Sequence, residues 1–148
     1  MRRLSLFLFS ALFSVEAASF ELISDAEAIA SQSVKAYEAS GEEAPTQAPV
    51  IEVSQPGLPM DRAVRNPLNI EVSFVPHQGA SIDFSSFKAY YGNLKLDITD
   101  RLLRHLIKTS NGFKLQNVAL PKGSHKIVLA IRDDKAREGR RAISLFVE

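Results

Sequence analysis

A regular alternation of apolar and polar residues over 68–74 constrains the fold of this chain more than any other feature of its sequence. Leu68, Ile70, Val72 and Phe74 fall on one face of an extended segment, and the residues between them are polar. This period of two is typical of a half-buried β-strand, because successive side chains point to opposite faces of a sheet. One wet face also favours antiparallel sheets over parallel ones.

The same pattern recurs along the chain, and turn residues separate its occurrences. The Gly-Asn pair at 92–93 and the Asn-Gly pair at 111–112 favour tight turns between strands. The further predicted strands cover residues 50–53, 86–91, 94–96, 113–118, 125–132 and 141–147. About seven short strands at fairly even spacing predict an all-β fold, an antiparallel immunoglobulin-like sandwich. We expect the alternating apolar residues to meet in the dry gap between its two sheets.

One segment departs from this alternation and predicts a short helical insertion. Ile98, Leu102 and Leu106 recur at the spacing of one helical face. Asp97 can accept hydrogen bonds from the first-turn amides, as helix-capping residues do. The sequence therefore predicts a helix over 99–108 that crosses one end of the sandwich.

The first 17 residues have the pattern of a cleavable signal peptide. Arg2 and Arg3 supply a positive start, residues 4–15 are an uncharged apolar run, and Ala17 ends a small-residue cleavage site. Twelve apolar residues are too few to span a bilayer, which needs about 20. The chain has no cysteine, so it has no lipid-attachment site and no disulfide. We therefore expect a soluble periplasmic or secreted protein without a membrane span.

The segment over 18–49 precedes the predicted strands and has a different pattern. Helical spacing of apolar and small residues predicts a weak helix over 21–40, with the following stripe: Leu22, Ala26, Ile29, Ser33 and Tyr37. Residues 41–49 are rich in proline, glycine and charge, which is typical of a linker. The segment is interpreted either as a tether or partner-docking helix, or as a spacer of little order. The predicted sandwich domain then covers 50–148.

Charge is distributed unevenly along the chain. Residues 18–85 contain ten acidic and three basic residues, a net charge of −7, and residues 86–148 contain thirteen basic and six acidic residues, a net charge of +7. The two halves either interleave as neighbouring strands and neutralise each other, or form a basic face for an anionic partner. Residues 18–148 therefore have a net charge of zero, because the charges of the two halves cancel. This total does not suggest a nucleic-acid-binding protein.

The C-terminal residues resemble a known class of modules. The run Leu-Pro-Lys-Gly-Ser-His at 120–125 leads into a strand that ends at Asp133, and a loop with Gly139 leads into a final strand over 143–147. This pattern resembles the closing turn and hairpin of bacterial immunoglobulin-like and fibronectin type III-like modules of exported proteins. Residues 79–88, together with residues 97–101, resemble a subgroup of these modules with no assigned activity. The resemblance covers 50–148 and implies the fold, without implying a chemistry.

No residue pattern predicts catalysis, a cofactor or a metal site. His77, His105 and His125 are widely separated and lack the spacing of a metal-binding pair. No serine stands in a nucleophile motif, and no glycine-rich phosphate loop is present. We therefore predict that the protein is not an enzyme.

The strongest candidate binding feature is the basic hairpin over 132–141. Loops at the ends of such sandwiches commonly bind partners, and basic residues of the inserted helix could extend the surface. The candidate partner-binding residues are Arg101, Arg104, Arg132, Lys135, Arg137, Arg140 and Arg141. The predicted function is an exported binding module for a protein or an anionic envelope polymer, and the alternative is a structural or assembly subunit. Weak internal ion pairs on a solvated hairpin are the simpler interpretation of the same residues.

Overall fold

The computed structural model describes residues 18–34, 46–57 and 63–148. The predicted signal peptide over 1–17 and most of the predicted linker lie outside these residues. The elements of the described ranges are β1 (Phe20–Glu21), α1 (Asp25–Ser33), β2 (Val50–Gln55), β3 (Ala63–Val64), β4 (Leu68–Val75), β5 (Ile82–Tyr91), β6 (Leu96–Asp97), α2 (Thr99–His105), β7 (Ile107–Lys108), β8 (Gly112–Ala119), β9 (Gly123–Asp133) and β10 (Glu138–Val147). The predicted all-β class is confirmed.

The strands form two sheets. Sheet A has the order β1-β8-β4-β2, with β7 also paired to β8, and sheet B has the order β3-β10-β9-β5-β6. The long pairs are antiparallel, as the alternation predicts. Two short pairs differ from that prediction, because β1 runs parallel to β8 and β3 runs parallel to β10. The predicted strand over 94–96 is shorter than expected and lies at Leu96–Asp97.

The core lies between the two sheets, where the alternating residues meet. Ile70, Val72 and Phe74 of sheet A are buried, and so are the alternating apolar residues of β9 in sheet B. Phe87 of sheet B lies 6.1 Å from Phe74 and 5.1 Å from Phe113, both of sheet A, between ring centroids. Each large apolar side chain buried here contributes about 1.5–3 kcal/mol to folding. This burial confirms the prediction that period-two residues fill a dry gap.

Helix α2 ends earlier than predicted, at His105 instead of Lys108. The difference arises because residues 107–108 pair with β8 as β7. The start of the helix covers one edge of β5, since the Ala89 N–H donates to Thr99 Oγ1 at 3.0 Å and the Ala89 carbonyl accepts from the Ile98 N–H at 2.9 Å. The insertion therefore satisfies backbone groups that an edge strand would otherwise leave open.

The N-terminal segment corrects the predicted helix over 21–40. Helix α1 covers only Asp25–Ser33, and the three stripe residues that lie in it, Ala26, Ile29 and Ser33, face water, with Ile29 68% exposed. Tyr37 of the predicted stripe lies outside the described residues. The buried helical residues are instead Ala28 and Ser31. The reason is tertiary, because β1 pairs with β8 and places the adjoining Leu22–Ile23 in the core, which fixes the orientation of the helix. The segment over 20–33 is therefore packed on the sandwich and is not a loose spacer.

The turn after β5 holds the C-terminal end of α1. The Asn93 backbone N–H donates to Ser31 Oγ at 2.9 Å, and the Asn93 amide donates to the Val34 carbonyl at 2.9 Å. The preceding Gly92 has a φ of +63°, and a Cβ at that position would collide with the Ser31 side chain. A glycine is therefore required where the helix end meets the turn.

Candidate binding groove on sheet B

The structure places the seven predicted partner-binding residues in two separate regions. Five lie on the β9–β10 hairpin and the other two on α2. The hairpin tip lies beside Ile82 at the start of β5, whereas α2 begins beside Ala89, seven residues further along that strand. The positions opposite them on β9 are Asp133 and Leu129, four residues apart, which is about 13 Å at 3.3 Å per residue. The two arginines of α2 line a depression that no residue of the hairpin lines. The structure therefore does not bring them together into one basic surface.

Arg137 of the hairpin is bound to a buried carboxylate. Its Nε donates to Asp133 Oδ2 at 2.7 Å, and its Nη1 donates to Gln47 Oε1 at 2.7 Å. Burial opposes ionisation of Asp133, but hydrogen bonds from the backbone and guanidinium of Arg137 and from the Lys135 backbone outweigh it, so the pKa of Asp133 is below its ordinary value. Arg137 therefore orders the hairpin turn, and its side chain is only 17% exposed.

Glu138 forms ion pairs with two further arginines of the hairpin. Arg132 Nε lies 3.1 Å from one carboxylate oxygen and Arg140 Nε lies 2.6 Å from the other. Burial raises the pKa of Glu138, but hydrogen bonds from the two arginines outweigh that effect and lower it overall. Lys135 and Arg141 are exposed and have no ion pair with a described residue. Three of the five predicted basic residues of the hairpin are thus paired with carboxylates of the hairpin itself.

Arg101 of α2 is also engaged, in this case with α1. Its guanidinium donates to both carboxylate oxygens of Glu27, at 2.8 and 2.6 Å. Arg104 lies beside it, exposed, in a depression of about 380 Å³. Phe20 and His105 stack at 3.8 Å at the wall of that depression. Because Glu21 and Glu27 also line it, the depression has mixed charge.

The most uniform basic surface lies on the outer face of sheet B, in a depression of about 520 Å³. Its floor consists of small or aromatic side chains of three neighbouring strands: Tyr90 of β5, Val128 and Ala130 of β9, and Ala142 of β10. Three cations line the same depression: Lys95, Lys126 and Arg140. A few polar or charged groups above an apolar floor are typical of ligand sites.

A second depression of about 440 Å³ continues the first along β9 and β10. Gly92, Asn93 and Lys126 line both, so the two form one groove, which we call the sheet B groove. The walls of the second part include Gln32 of α1 and Phe146 of β10. No acidic residue lines either part of the groove within the described ranges.

Of the predicted residues, only Arg140 lies in the groove. The other groove residues were missed because they are far apart in sequence and are aligned only by strand register. Tyr90, Val128 and Ala142 form one row across the three strands, and Lys126 lies opposite Ser144. The signal available in the sequence was the basic excess after residue 86, combined with the outward positions of each predicted strand.

The polar groups inside the sandwich have structural partners. The carbonyl of Pro121 can only accept, so His125 Nε2 donates to it at 2.7 Å, and Nδ1 then accepts from the Tyr91 hydroxyl at 2.7 Å. Burial raises the pKa of Tyr91, and the charge of Glu27 acts in the same direction. Both ring nitrogens of this buried histidine are therefore engaged in hydrogen bonds within the fold. Within the described ranges, no group of three metal-ligating side chains comes together.

In the ranges that the structure describes, neither helix has the length and apolar character needed to cross a bilayer. No family model matches the chain, and no curated protein or solved structure matches it.

Proposed function

We propose that this chain is an exported, non-enzymatic binding module that binds an anionic partner in the sheet B groove. The observation that carries the proposal is the charge of the groove. Lys95, Lys126 and Arg140 line it, and among the residues described no carboxylate does. A concave surface of one charge sign attracts an opposite charge and raises its local concentration. The signal peptide predicted over 1–17 supports an export route.

The proposed module has an immunoglobulin-like topology. In sheet A, β4 lies between β2 and β8, the strand that follows the helical insertion. In sheet B, the hairpin of β9 and β10 pairs through β9 with β5. The segments before β4 contribute to both sheets, since β2 pairs in sheet A and β3 pairs in sheet B. This arrangement supports the resemblance to immunoglobulin-like and fibronectin type III-like modules.

The alternative proposal is an assembly subunit held by its N-terminal helix or by an exposed edge strand, and the contacts of the helix give its first form less support. Leu22 and Ile23 lie in the core, and Arg101 and Asn93 hold the two ends of α1. Detaching this segment from its own sandwich to insert it into another subunit would expose those core residues. A binding function at the sheet B groove requires no such rearrangement.

Binding of the full chain to dextran sulfate tests the proposal, with uncharged dextran of equal length as the reference. We expect binding to dextran sulfate only, with affinity that falls as salt concentration rises. Lys126→Gln should weaken it about threefold, since an exposed ion contact contributes about 0.2–1 kcal/mol. The matched control is Lys108→Gln in β7, which removes the same charge from sheet A. Equal affinities of the Lys126→Gln variant and the unmodified chain would contradict the proposal.

A further inference from the structure

We infer that the ligand of the sheet B groove is a linear acidic polysaccharide, an inference that rests on the proposed function. The first argument is the shape of the groove. It extends along β9 from Ala130 to Ser124, six residues, which is about 20 Å at 3.3 Å per residue. An open groove of this length, on a sheet face, fits an extended chain better than a compact small molecule.

The second argument is that the two parts of the groove differ in chemistry. The part around Ala130 is basic, with the cations already described, above an apolar floor. The part around Ser124 offers hydroxyl groups of Ser124 and Ser144, the amide of Gln32 and the ring of Phe146, which is 49% exposed. In the described part of the chain, the two hydroxyls and the Gln32 amide have no hydrogen-bonding partner.

These groups match the parts of an acidic sugar unit. Its hydroxyl groups exchange hydrogen bonds with amides and hydroxyls. The apolar C–H face of its ring packs on an aromatic ring such as that of Phe146, which offers a large rigid apolar surface. Its carboxylate pairs with a lysine or arginine. The groove thus provides a counterpart for each group, in two adjoining parts.

The third argument excludes an acidic peptide as the favoured ligand. A peptide commonly binds a sheet by adding a strand at an edge, where backbone groups are open. The floor of this groove is formed by β5, β9 and β10, and β9 and β10 are interior strands of the sheet, paired on both sides. Protein interfaces are also depleted in lysine, whereas Lys95 and Lys126 line this groove. Side-chain recognition of a hydrated polyanion is therefore the better fit.

Three polymers separate these ligand classes in binding experiments with the full chain. Polygalacturonate carries the acidic sugar chemistry, fully methyl-esterified polygalacturonate lacks the charge, and poly-L-glutamate carries charge on a peptide. We expect polygalacturonate to bind at least tenfold more tightly than either of the others. Equal affinity for polygalacturonate and poly-L-glutamate would overturn the sugar inference and leave the proposed function intact. Failure of both polyanions to bind would overturn the sugar inference, and failure of dextran sulfate as well would overturn the proposed function itself.

Variants of the neutral part of the groove locate the sugar contacts. Phe146→Ser and Gln32→Ala should each lower the affinity for polygalacturonate about fivefold and leave poly-L-glutamate binding unchanged. The matched control for the first is Ile107→Ser, which removes an apolar side chain of equal exposure from β7. If both groove variants bind polygalacturonate as the unmodified chain does, the inference is wrong. Circular dichroism of each variant verifies folding, and Gln32→Ala keeps the test valid if Phe146→Ser unfolds the chain.

Discussion

Replacing Arg101 by glutamine removes the ion pair that joins the inserted helix to the N-terminal segment. In the folded chain the guanidinium of Arg101 donates to both carboxylate oxygens of Glu27 and to the Leu22 carbonyl at 3.2 Å. Glu27 also accepts hydrogen bonds from the backbone and hydroxyl of Ser24 in the capping box of α1. The substitution therefore weakens the attachment of α1 and leaves a carboxylate with fewer partners.

The magnitude follows from the pKa of Glu27. Hydrogen bonds from Arg101, and after them from the Ser24 backbone, lower this pKa from 4.5 to about 2. A difference of that size corresponds to about 3 kcal/mol at most, at 1.36 kcal/mol for each pH unit. Ser24 supplies part of it, and the Arg101 side chain is 40% exposed, so solvent screening reduces the share of the ion pair. We expect Arg101→Gln to lower the free energy of unfolding by about 1–2 kcal/mol at pH 7.

The pH dependence of this loss has a definite sign. Because the pKa of Glu27 is lower in the folded chain than in the unfolded chain, its ionisation stabilises the fold fully above pH 4.5. That contribution disappears as pH falls from 4.5 through about 2, since the carboxyl group becomes protonated. The difference in stability between Arg101→Gln and the unmodified chain should therefore shrink over this range.

Urea unfolding, followed by circular dichroism at several pH values between 7 and 3, measures the effect. Arg104→Gln is the matched control, because this neighbouring arginine lies on the same helix and has no ion pair with a described residue. A double-mutant cycle with Glu27→Gln isolates the pair from other effects of each substitution. The reasoning is refuted if Arg101→Gln is as stable as the control at pH 7, or if its deficit is the same at pH 3.

Three other predictions concern the core and the groove. Phe74→Ala should lower the free energy of unfolding by about 3–5 kcal/mol in urea titrations, because it leaves a cavity where rings of both sheets meet; a loss below 1 kcal/mol would contradict this. Tyr91→Phe should cost about 1–2 kcal/mol in the same assay, because His125 Nδ1 loses its hydrogen-bonding partner; an unchanged stability would show that the contact is dispensable. Glu138→Gln should raise the affinity for dextran sulfate about twofold, because it removes the negative charge beside Arg140; a weaker affinity in the titration would oppose it.

The sheet framework could be predicted from the sequence because burial in a strand has a simple period. Residues 68–74 and 125–132 alternate over several positions, and one face of each lies in the core. The two-residue strands could not be predicted, since a pair such as Ala63–Val64 has no period to detect. The face of α1 was predicted wrongly for a related reason. Of the predicted stripe, α1 itself contains only Ala26, Ile29 and Ser33, which offer little apolar area, so contacts of the preceding residues decided its orientation.

The candidate site was less accessible to prediction than the fold. Basic residues are visible in a sequence, but their ion-pair partners depend on which carboxylates the fold places beside them. The sequence places Asp133 at the end of a strand, but it does not predict that Asp133 is buried and accepts a hydrogen bond from Arg137. The groove depends on the register of β5, β9 and β10, which aligns Tyr90 with Val128 and Ala142. Such alignment follows from pairing between distant segments and not from local pattern.

The parallel strand β1 has a consequence for the order in which this chain acquires its structure. Phe20 and Glu21 pair with Val118 and Ala119, which lie far later in the chain, so β1 finds its place only after β8 has been made. Contacts between such distant residues slow folding, because a long loop must close before they form. Until then Leu22 and Ile23 remain exposed to water as an unpaired apolar sequence, available to any factor that recognises unfolded chains.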